Sequence, residues 1–227
     1  AVLKLLPFYI FILPGVMVAG QLLAMLGEGK KVALVSDAGT PGISDPGYEI
    51  IKRCIEEGIG ITVLPGPTAF VPALVMSGLK THPFLFHGFL PDKTGEREKT
   101  LQALAALDCT LIFYVSPHKA EKHLGHCAAV LGDRRAALVR EISKIYEEAR
   151  RGTLSELARS VEGGVRGELV LVVDGAPPRA PGGDEWKEAA LEMIRSGVTV
   201  REVVKIVSRE YGLPKNDVKS FLFASRA

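Results

Sequence analysis

The hydrophobic positions of this chain form short runs separated by stretches rich in glycine and proline. An apolar, β-branched run at 32–35 predicts a buried strand, and apolar residues at helical spacing predict a helix over 48–57. A second apolar run at 61–64 predicts another strand, and Thr68 is placed to cap a helix that continues to residue 77. The order strand, loop, helix, strand is that of a parallel βαβ unit, so we expect two glycine-rich loops to meet at the carboxyl edge of one sheet.

Strands and helices alternate again after residue 83, which predicts a second lobe of mixed α/β structure. Its predicted elements are a polar loop at 91–99, helices at 99–106, 118–131 and 153–161, and strands at 110–114, 136–140 and 168–173. Glycines and prolines at 175–183 indicate a linker to an all-helical segment. There, Thr199 and Glu202 have the spacing of a capping box that begins a helix, and a short last helix is predicted at 216–223.

The predicted fold class is therefore α/β with two lobes. The N-terminal parallel βαβ lobe is expected over 1–82, the C-terminal mixed α/β lobe over 83–176, and a small helical tail over 184–227.

The first residues need a separate interpretation, because Gln21 is the only strongly polar side chain between residues 5 and 27. Such a run is long enough for a membrane span or a signal sequence. Pro7 and Pro14 would interrupt a helix, so they favour a buried extended segment, a turn and a helix over 16–26. A protein tethered to a membrane by this segment stays an alternative, and it predicts partition into detergent.

The composition argues against a dedicated nucleic-acid-binding protein with an overall positive charge. The 28 basic and 26 acidic residues leave a net charge of +2, so any nucleic-acid contact is expected from a local patch. In the last thirty residues three acidic side chains stand against six basic ones, which are Arg201, Lys205, Arg209, Lys215, Lys219 and Arg226. An RNA-facing surface and an ordinary solvated helical face both explain this pattern.

The three cysteines, at positions 54, 109 and 127, are widely spaced and form no CxxC pair. They indicate neither a disulfide framework nor a zinc knuckle, and they fit a reducing cytoplasm. Metal-binding side chains gather only at His118, His123, His126 and Cys127. Because no carboxylate or paired thiol completes a coordination shell, we expect no metal site.

The most specialised stretch is the loop at 36–47, which combines glycines, prolines, two aspartates and several hydroxyl groups. Its glycines permit close approach of the backbone to a ligand, and its polar side chains offer hydrogen-bonding partners. The structural alternative is that Asp37 and Asp45 cap turns beside a rigid Thr40-Pro41 corner. No phosphate-loop lysine or dinucleotide fingerprint accompanies the loop, so neither a Walker-type site nor a dinucleotide oxidoreductase is indicated.

Residues 35–47 read Val-Ser-Asp-Ala-Gly-Thr-Pro-Gly-Ile-Ser-Asp-Pro-Gly. This block resembles the signature loop of ribosomal RNA small subunit methyltransferase I, a family of the tetrapyrrole methylase superfamily. Five further blocks are similar to that family's blocks in order and spacing: Leu-Pro-Gly-Pro-Thr-Ala at 64–69, Phe-His-Gly-Phe-Leu-Pro at 86–91, Phe-Tyr-Val-Ser-Pro-His at 113–118, Arg-Glu-Ile-Ser-Lys at 140–144 and Arg-Gly-Thr at 151–153. The resemblance implies a two-lobed fold, a homodimer, and S-adenosylmethionine bound between the lobes.

The resemblance also implies site residues and a reaction. The cofactor-binding residues that it carries over are Asp37, Ala38, Gly39, Thr40, Pro41, Ser44, Pro67, Thr68, Phe113, Tyr114, Glu168 and Leu169. For the last four, packing in the core is an equal alternative. The implied reaction is 2′-O-methylation of a cytidine ribose in the 16S RNA of the small ribosomal subunit. The segment 88–99 and the C-terminal helices would hold the RNA, and Asp37 is the candidate base by position.

The chain departs from the family pattern in three places. The family's opening strand block and the acidic, arginine-containing block after it have no counterpart here, and residues 7–12 are apolar where relatives often carry histidine, glutamate and asparagine. Val115 and Lys119 stand where glutamate and arginine are usual. These departures concern the substrate side more than the cofactor side. A superfamily methyltransferase for a tetrapyrrole or other small molecule, and a non-catalytic RNA-binding or ribosome-assembly factor, therefore stay open as alternatives.

Overall fold

The computed structural model describes residues 2–5, 8–12, 19–36, 39–177 and 184–225. Its strands are β1 Val2–Leu5, β2 Phe8–Ile12, β3 Lys31–Val35, β4 Phe84–Phe89, β5 Thr110–Val115, β6 Arg135–Arg140, β7 Glu148–Thr153 and β8 Leu169–Val173. Its α-helices are α1 Ala19–Gly27, α2 Tyr48–Glu56, α3 Phe70–Ser77, α4 Thr94–Leu104, α5 Ala120–Leu131, α6 Leu154–Ser160, α7 Glu185–Arg195, α8 Val200–Glu210 and α9 Lys215–Ala224.

The first sheet has the order β1-β2-β3, in which β2 runs antiparallel to β1 and parallel to β3. The extended segment and helix expected at the start of the chain are present as β2 and α1. Strands β2 and β3, joined by helix α1, therefore form a parallel βαβ unit. The sequence predicts β3 as the first strand of such a unit, whereas it is the last. Helices α1 and α2 pack together through Leu22, Leu23, Ile50 and Cys54, and the loop 39–47 follows the carboxyl end of β3.

The strand predicted at 61–64 is wrong. Residues 59–68 have no regular secondary structure, and the side chains of Val63 and Leu64 are 70% and 79% exposed. Their β-branched and apolar character resembles that of a buried strand, but no described strand pairs with them, so no sheet face covers these side chains. The segment instead leads in irregular conformation to the second glycine-rich loop, at 65–68.

The second sheet forms the main core, with the order β4-β5-β8-β6-β7. Strand β4 runs parallel to β5, whereas the other neighbours are antiparallel. All five residues of the central strand β8 are buried. On one face of the sheet, helices α4, α5 and α6 enclose a cluster that includes Leu101, Phe113, Leu124, Leu154 and Leu171.

Helix α3 covers the other face of the second sheet. Ala73 and Leu74 pack against a set of β-branched side chains from the central strands, Ile112, Val139, Val170 and Val172. Arg151 of β7 donates hydrogen bonds from Nε, at 3.0 Å, and from Nη2 to the carbonyl oxygen of Met76 in the last turn of this helix. The residue that caps α3 is Ala69, without a side-chain hydrogen bond, so the cap predicted at Thr68 is wrong.

Two further predictions in this lobe need correction. The polar loop predicted at 91–99 ends early, because α4 begins at Thr94. The reason is Arg97, a fully buried residue that donates to the carbonyl oxygens of Pro91 and Asp92 at 3.0 and 2.8 Å and so folds the preceding loop onto the helix. Strand β7 was not predicted, since its charged sequence Glu-Ala-Arg-Arg-Gly-Thr lacks the apolar alternation of a strand.

The C-terminal helices α7, α8 and α9 pack around their own apolar cluster, which includes Trp186, Val203, Val207, Val218 and Leu222. The capping box predicted for α8 is confirmed: the Thr199 side chain accepts from the backbone N–H of Glu202, and the Glu202 carboxylate accepts from that of Thr199. Across the residues that the structure describes, no helix is long and apolar enough to cross a membrane. The boundaries predicted at 83 and 176 stay a prediction.

Candidate functional site

The first glycine-rich loop takes a backbone path that few residues other than glycine adopt. Gly39, Gly42 and Gly47 have φ angles of +87°, +82° and +133°, and a methyl group at Gly47 would lie 3.0 Å from Leu34 Cδ2. Ser44 also has a positive φ, of 53°. A non-glycine residue in this region carries strain that the surrounding structure has to support, which is common at binding sites.

The second glycine-rich loop lies directly against the first. The hydroxyl of Thr40 donates to the carbonyl oxygen of Pro67 at 3.1 Å. A side chain at Gly66 would place its Cβ 3.3 Å from Thr40 Oγ1, and one at Gly39 would place it 3.5 Å from the Pro67 carbonyl oxygen. The two loops therefore meet as predicted, but the expected shared sheet edge is not found, because residues 59–68 form no strand.

The first loop also reaches β4 of the second sheet. The pairing of β4 with β5 shifts between Phe86 and Gly88, so His87 is an extra residue in a β-bulge. Gly88 has a φ of +81°, and a Cβ there would lie only 2.7 Å from Ser44 Oγ. Glycine at this position lets the first loop touch the end of the strand.

Tyr114 connects the strand ends to helix α3. Burial raises the pKa of this tyrosine, and the backbone N–H groups of Ala69 and Phe70, immediately after the second loop, oppose the rise. The Tyr114 ring meets Phe86 and Phe89 edge-on, with ring centroids 5.0 and 5.5 Å apart. Pro67 and Thr68 thus lie within three residues, along the chain, of the backbone groups beside Tyr114, and Thr40 contacts Pro67.

The structure does not bring every predicted site residue to this region. The side chains of Phe113 and Leu169 lie in the core on the opposite face of the second sheet, under α4 to α6. Pro41 follows Thr40 in the first loop and is partly exposed. Asp37 and Ala38 lie outside the described residues.

Glu168 belongs to a separate charged cluster at the start of β8. Lys144 Nζ lies 3.1 Å from both Glu141 Oε1 and Glu168 Oε2. Glu141 Oε1 also accepts from the Glu168 backbone N–H at 2.9 Å. This backbone hydrogen bond and the Lys144 ammonium lower the pKa of the Glu141 carboxyl. Glu141 and Lys144 were not predicted as site residues, although both stand in the block 140–144 that marks the family.

The histidine cluster is organised around a buried arginine. Arg97 Nε donates to His126 Nδ1 at 2.9 Å, and burial lowers the pKa of His123, with Arg97 adding to that effect. Burial raises the pKa of the Cys127 thiol to about 12. Within the described ranges, no group of three or more histidine, cysteine, aspartate or glutamate side chains is arranged to hold a metal ion.

Two substitutions relative to the family pattern have clear structural settings. Val115 is buried in the cluster beneath α4 to α6, so its side chain contacts core residues. Lys119 pairs with the Asp92 carboxylate, which lowers the pKa of that carboxyl. A cation is therefore retained beside the strand ends at the position of the usual arginine.

The family profile of the tetrapyrrole (corrin/porphyrin) methylases matches residues 17–158, which include both glycine-rich loops and Tyr114. The chain therefore belongs to the tetrapyrrole methylase family.

Within that family, the chain is similar to ribosomal RNA small subunit methyltransferase I. The protein of that name from Micromonospora olivasterospora is 44% identical over 200 residues, which cover 86% of this chain and 64% of that protein. The corresponding proteins from Halalkalibacterium halodurans and Bacillus subtilis are each 40% identical over 87% of this chain, and over 71% and 70% of their own lengths. The chain spans about two thirds of the length of these relatives, and the family resemblance read from the sequence is confirmed.

Solved structures support the same fold. The methyltransferase CobJ superposes with a TM-score of 0.52 and 25% identity, covering 72% of each chain. Diphthine synthase superposes with a TM-score of 0.51 over 70% of this chain and 65% of that chain, and at 14% identity it shows the fold alone. The predicted two-lobed tetrapyrrole-methylase fold class is confirmed.

Proposed function

We propose that this chain transfers a methyl group from S-adenosylmethionine to the 2′-hydroxyl of a cytidine ribose in 16S ribosomal RNA. The observation that carries the proposal is the 40–44% identity to ribosomal RNA small subunit methyltransferase I proteins over most of the chain. This likeness favours an RNA substrate over a tetrapyrrole and a catalytic role over a non-catalytic one.

The residues of the two loops fit the proposed cofactor. The cofactor joins a sulfonium cation to a zwitterionic amino-acid head and an adenosine, so its polar atoms are satisfied by backbone groups and neutral hydroxyls. Thr40, Ser44 and Thr68 supply such hydroxyls, and the glycines leave room for close approach of the main chain. The proposed cofactor-binding set is Asp37, Ala38, Gly39, Thr40, Pro41, Ser44, Pro67, Thr68 and Tyr114, whereas Glu168, which pairs with Lys144, and the core residues Phe113 and Leu169 lie away from the loops. Within the proposed set, Tyr114 offers a ring, whereas Phe113 and Leu169 shape the strands from the core side.

When bound, S-adenosylmethionine supplies a methyl group whose bond to sulfur breaks as the ribose oxygen attacks, so the sulfonium charge disappears and the hydroxyl loses its proton. The task of the protein is then to align the two reactants and exclude water. The Thr40–Pro67 hydrogen bond joins the two loops, and the close approach of Ser44 to Gly88 places the first loop against the second sheet. Asp37 is the candidate acceptor for the proton because of its position at the start of the loop.

The RNA is held by the segment 88–99 and by the C-terminal helices. Basic side chains recur at four-residue spacing on α8, as Arg201, Lys205 and Arg209, and on α9, as Lys215 and Lys219. All five residues are exposed. Cations arranged in this way attract phosphate groups without reading sequence.

The protein is proposed to act in the cytoplasm as a homodimer. Exposed apolar side chains support a protein partner: Val63 and Leu64 precede the second loop, and Val71 and Val75 lie one turn apart on α3. Light scattering of the purified protein tests the dimer. A monomeric mass at micromolar concentration would contradict it.

The function is tested by transfer of labelled methyl groups from S-adenosylmethionine to small ribosomal subunits purified from a strain that lacks the modification. We expect label in the 16S RNA at one position, where the chain becomes resistant to alkaline cleavage because the 2′-hydroxyl is blocked. Free RNA serves as a comparison substrate. Cofactor binding without any label in the RNA would refute the proposal and favour a small-molecule substrate or a non-catalytic protein.

A further inference from the structure

The β-bulge in β4 determines which way Phe89 points. Successive side chains of a regular strand alternate between faces, so residues 86 and 89 would lie on opposite faces. The extra residue His87 changes this alternation. As a result, the rings of Phe86 and Phe89 both meet the ring of Tyr114, at 5.0 Å and 5.5 Å, on the face that α3 covers.

Phe89 is the exposed end of a row of aromatic rings. Phe86 is stacked on Phe70, with centroids 4.3 Å apart and planes inclined by 18°, and it also contacts Tyr114, so it has two ring neighbours. Phe89 has Tyr114 as its ring neighbour and is 55% exposed. Exposed apolar residues are common on protein surfaces. Phe89 differs in its location, because it adjoins Gly88, which touches Ser44 of the first loop.

The backbone on both sides of Phe89 is held in place. Gly88 is buried against Ser44, and Leu90 is buried in the core. The next two carbonyl oxygens, of Pro91 and Asp92, accept hydrogen bonds from the buried Arg97. The ring is therefore presented by rigid backbone rather than by a free loop. The segment that follows Phe89 carries basic groups: Lys93 pairs with Glu96, and Lys119 pairs with Asp92.

We infer that Phe89 is a stacking residue for a nucleobase of the RNA substrate, which holds the target nucleotide so that its ribose faces the cofactor loops. Enzymes that act on a single nucleotide within a folded nucleic acid often extrude that nucleotide from the base stack. A nucleotide extruded in this way is commonly held by stacking on an aromatic side chain with basic groups nearby. The inference rests on the proposed function, because it assigns RNA to the same site.

The test compares Phe89→Ala, Phe89→Leu and Phe89→Tyr with the wild-type protein. Two quantities are measured: the Km for small ribosomal subunits in methyl transfer, and the Kd for the same subunits with S-adenosylhomocysteine present. We expect the alanine and leucine variants to raise both RNA constants about tenfold and tyrosine to restore them, because stacking needs a flat ring rather than apolar volume. The Kd for S-adenosylhomocysteine alone should stay unchanged.

Phe84→Ala is the matched control. Phe84 lies at the other end of β4, is 43% exposed and belongs to the same aromatic row, 6.3 Å from Phe70. Its truncation should leave the RNA constants unchanged, and thermal unfolding of both alanine variants checks the fold. A weaker Kd for S-adenosylhomocysteine in Phe89→Ala, with unchanged RNA constants, would overturn the inference in favour of contact with adenine. Wild-type binding to subunits without turnover, weakened by Phe89→Ala, would retain the stacking residue and refute the methylation.

Discussion

The two regions that meet at the site, the second sheet and the segment 39–68, are held in place by different kinds of contact. The second sheet is closed on both faces, by α4 to α6 and by α3, and its central strand β8 is fully buried. The segment 39–68 has α2 as its one described regular element and carries the largely exposed Val63 and Leu64. Packing over a large area fixes the sheet, whereas a few specific contacts fix the loops. Stability and ligand geometry should therefore respond to different substitutions.

The largest effect expected on the sheet is that of Leu171→Ala. Leu171 is fully buried in β8, paired with Phe113 on one side and Leu138 on the other. Its truncation should lower the free energy of unfolding by about 2–5 kcal/mol, because it removes apolar contacts and leaves a cavity. Urea unfolding measures the loss. Val63→Ala in the loop region is the control, with an expected change below about 0.5 kcal/mol. Similar losses in the two variants would remove the distinction between the regions.

The contact between the two regions is tested by Gly88→Ala. The new Cβ would lie 2.7 Å from Ser44 Oγ at a backbone φ of +81°, so the variant should lose stability and bind S-adenosylhomocysteine more weakly. Gly78→Ala shares the positive φ, at +72°, but has open space around the new atom. It should show only the backbone cost of about 1–2 kcal/mol.

A double-mutant cycle separates the steric clash between the new methyl group and Ser44 Oγ from the backbone strain at position 88. Ser44→Ala removes the oxygen that the new methyl group would approach, so the double variant Ser44→Ala, Gly88→Ala should regain about 1 kcal/mol relative to the sum of the single variants. Unfolding by urea gives all four values. Strict additivity would mean that the Ser44 hydroxyl does not contact a methyl group at position 88.

A smaller effect is expected within the loop region. Thr40→Val removes the hydrogen bond to the Pro67 carbonyl oxygen while keeping the side-chain volume. The net value of such a bond is about 1 kcal/mol, so the Kd for S-adenosylhomocysteine should rise about fivefold. Because the bond is present in the free protein, its loss should also lower the melting temperature, but only by about 2–4 °C. Thr62→Val, at an exposed threonine of the neighbouring segment, should change neither quantity. Calorimetric titration distinguishes these results.

The smallest effect concerns the charged cluster at the edge of the sheet. The Glu168 backbone N–H and the Lys144 ammonium lower the pKa of Glu141 from its ordinary value of 4.5. A pKa that is lower in the folded than in the unfolded state stabilises the protein above the unfolded value, and this stability is lost as the pH falls through the folded value. Glu141→Gln should therefore melt below the wild type at pH 7, and the two curves should converge in acid. Glu162→Gln, in an exposed turn, provides the control.

Three strands of the second sheet, β5, β6 and β8, could be predicted from the sequence because burial leaves a local pattern. Runs such as 169–173 are apolar throughout, since a central strand is covered on both faces. Strand β7 was missed because its conformation depends on pairing with β6 more than on its own composition. The segment 61–64 shows the opposite error, since it has the composition of a strand without a neighbour to pair with.

Only part of the candidate site could be predicted from the sequence. Glycines at 39, 66 and 88 indicate close approaches, and the blocks around them matched a known family. Which atoms approach depends on residues far apart in the chain, such as Thr40 with Pro67 and Ser44 with Gly88. The sequence also did not show on which face of the sheet each side chain lies. Phe113 and Tyr114 are adjacent in sequence, yet one lies in the core and the other reaches the start of α3.

The position of α3 has a consequence for how the chain can be divided. This helix precedes residue 83 in the sequence, but it covers Ile112, Val139, Val170 and Val172 of the second sheet. A fragment that starts at residue 83 would leave these side chains bare and should aggregate. A protease that cuts at the exposed Val63–Leu64 segment should instead release a piece in which α3, Arg151 and the sheet remain together.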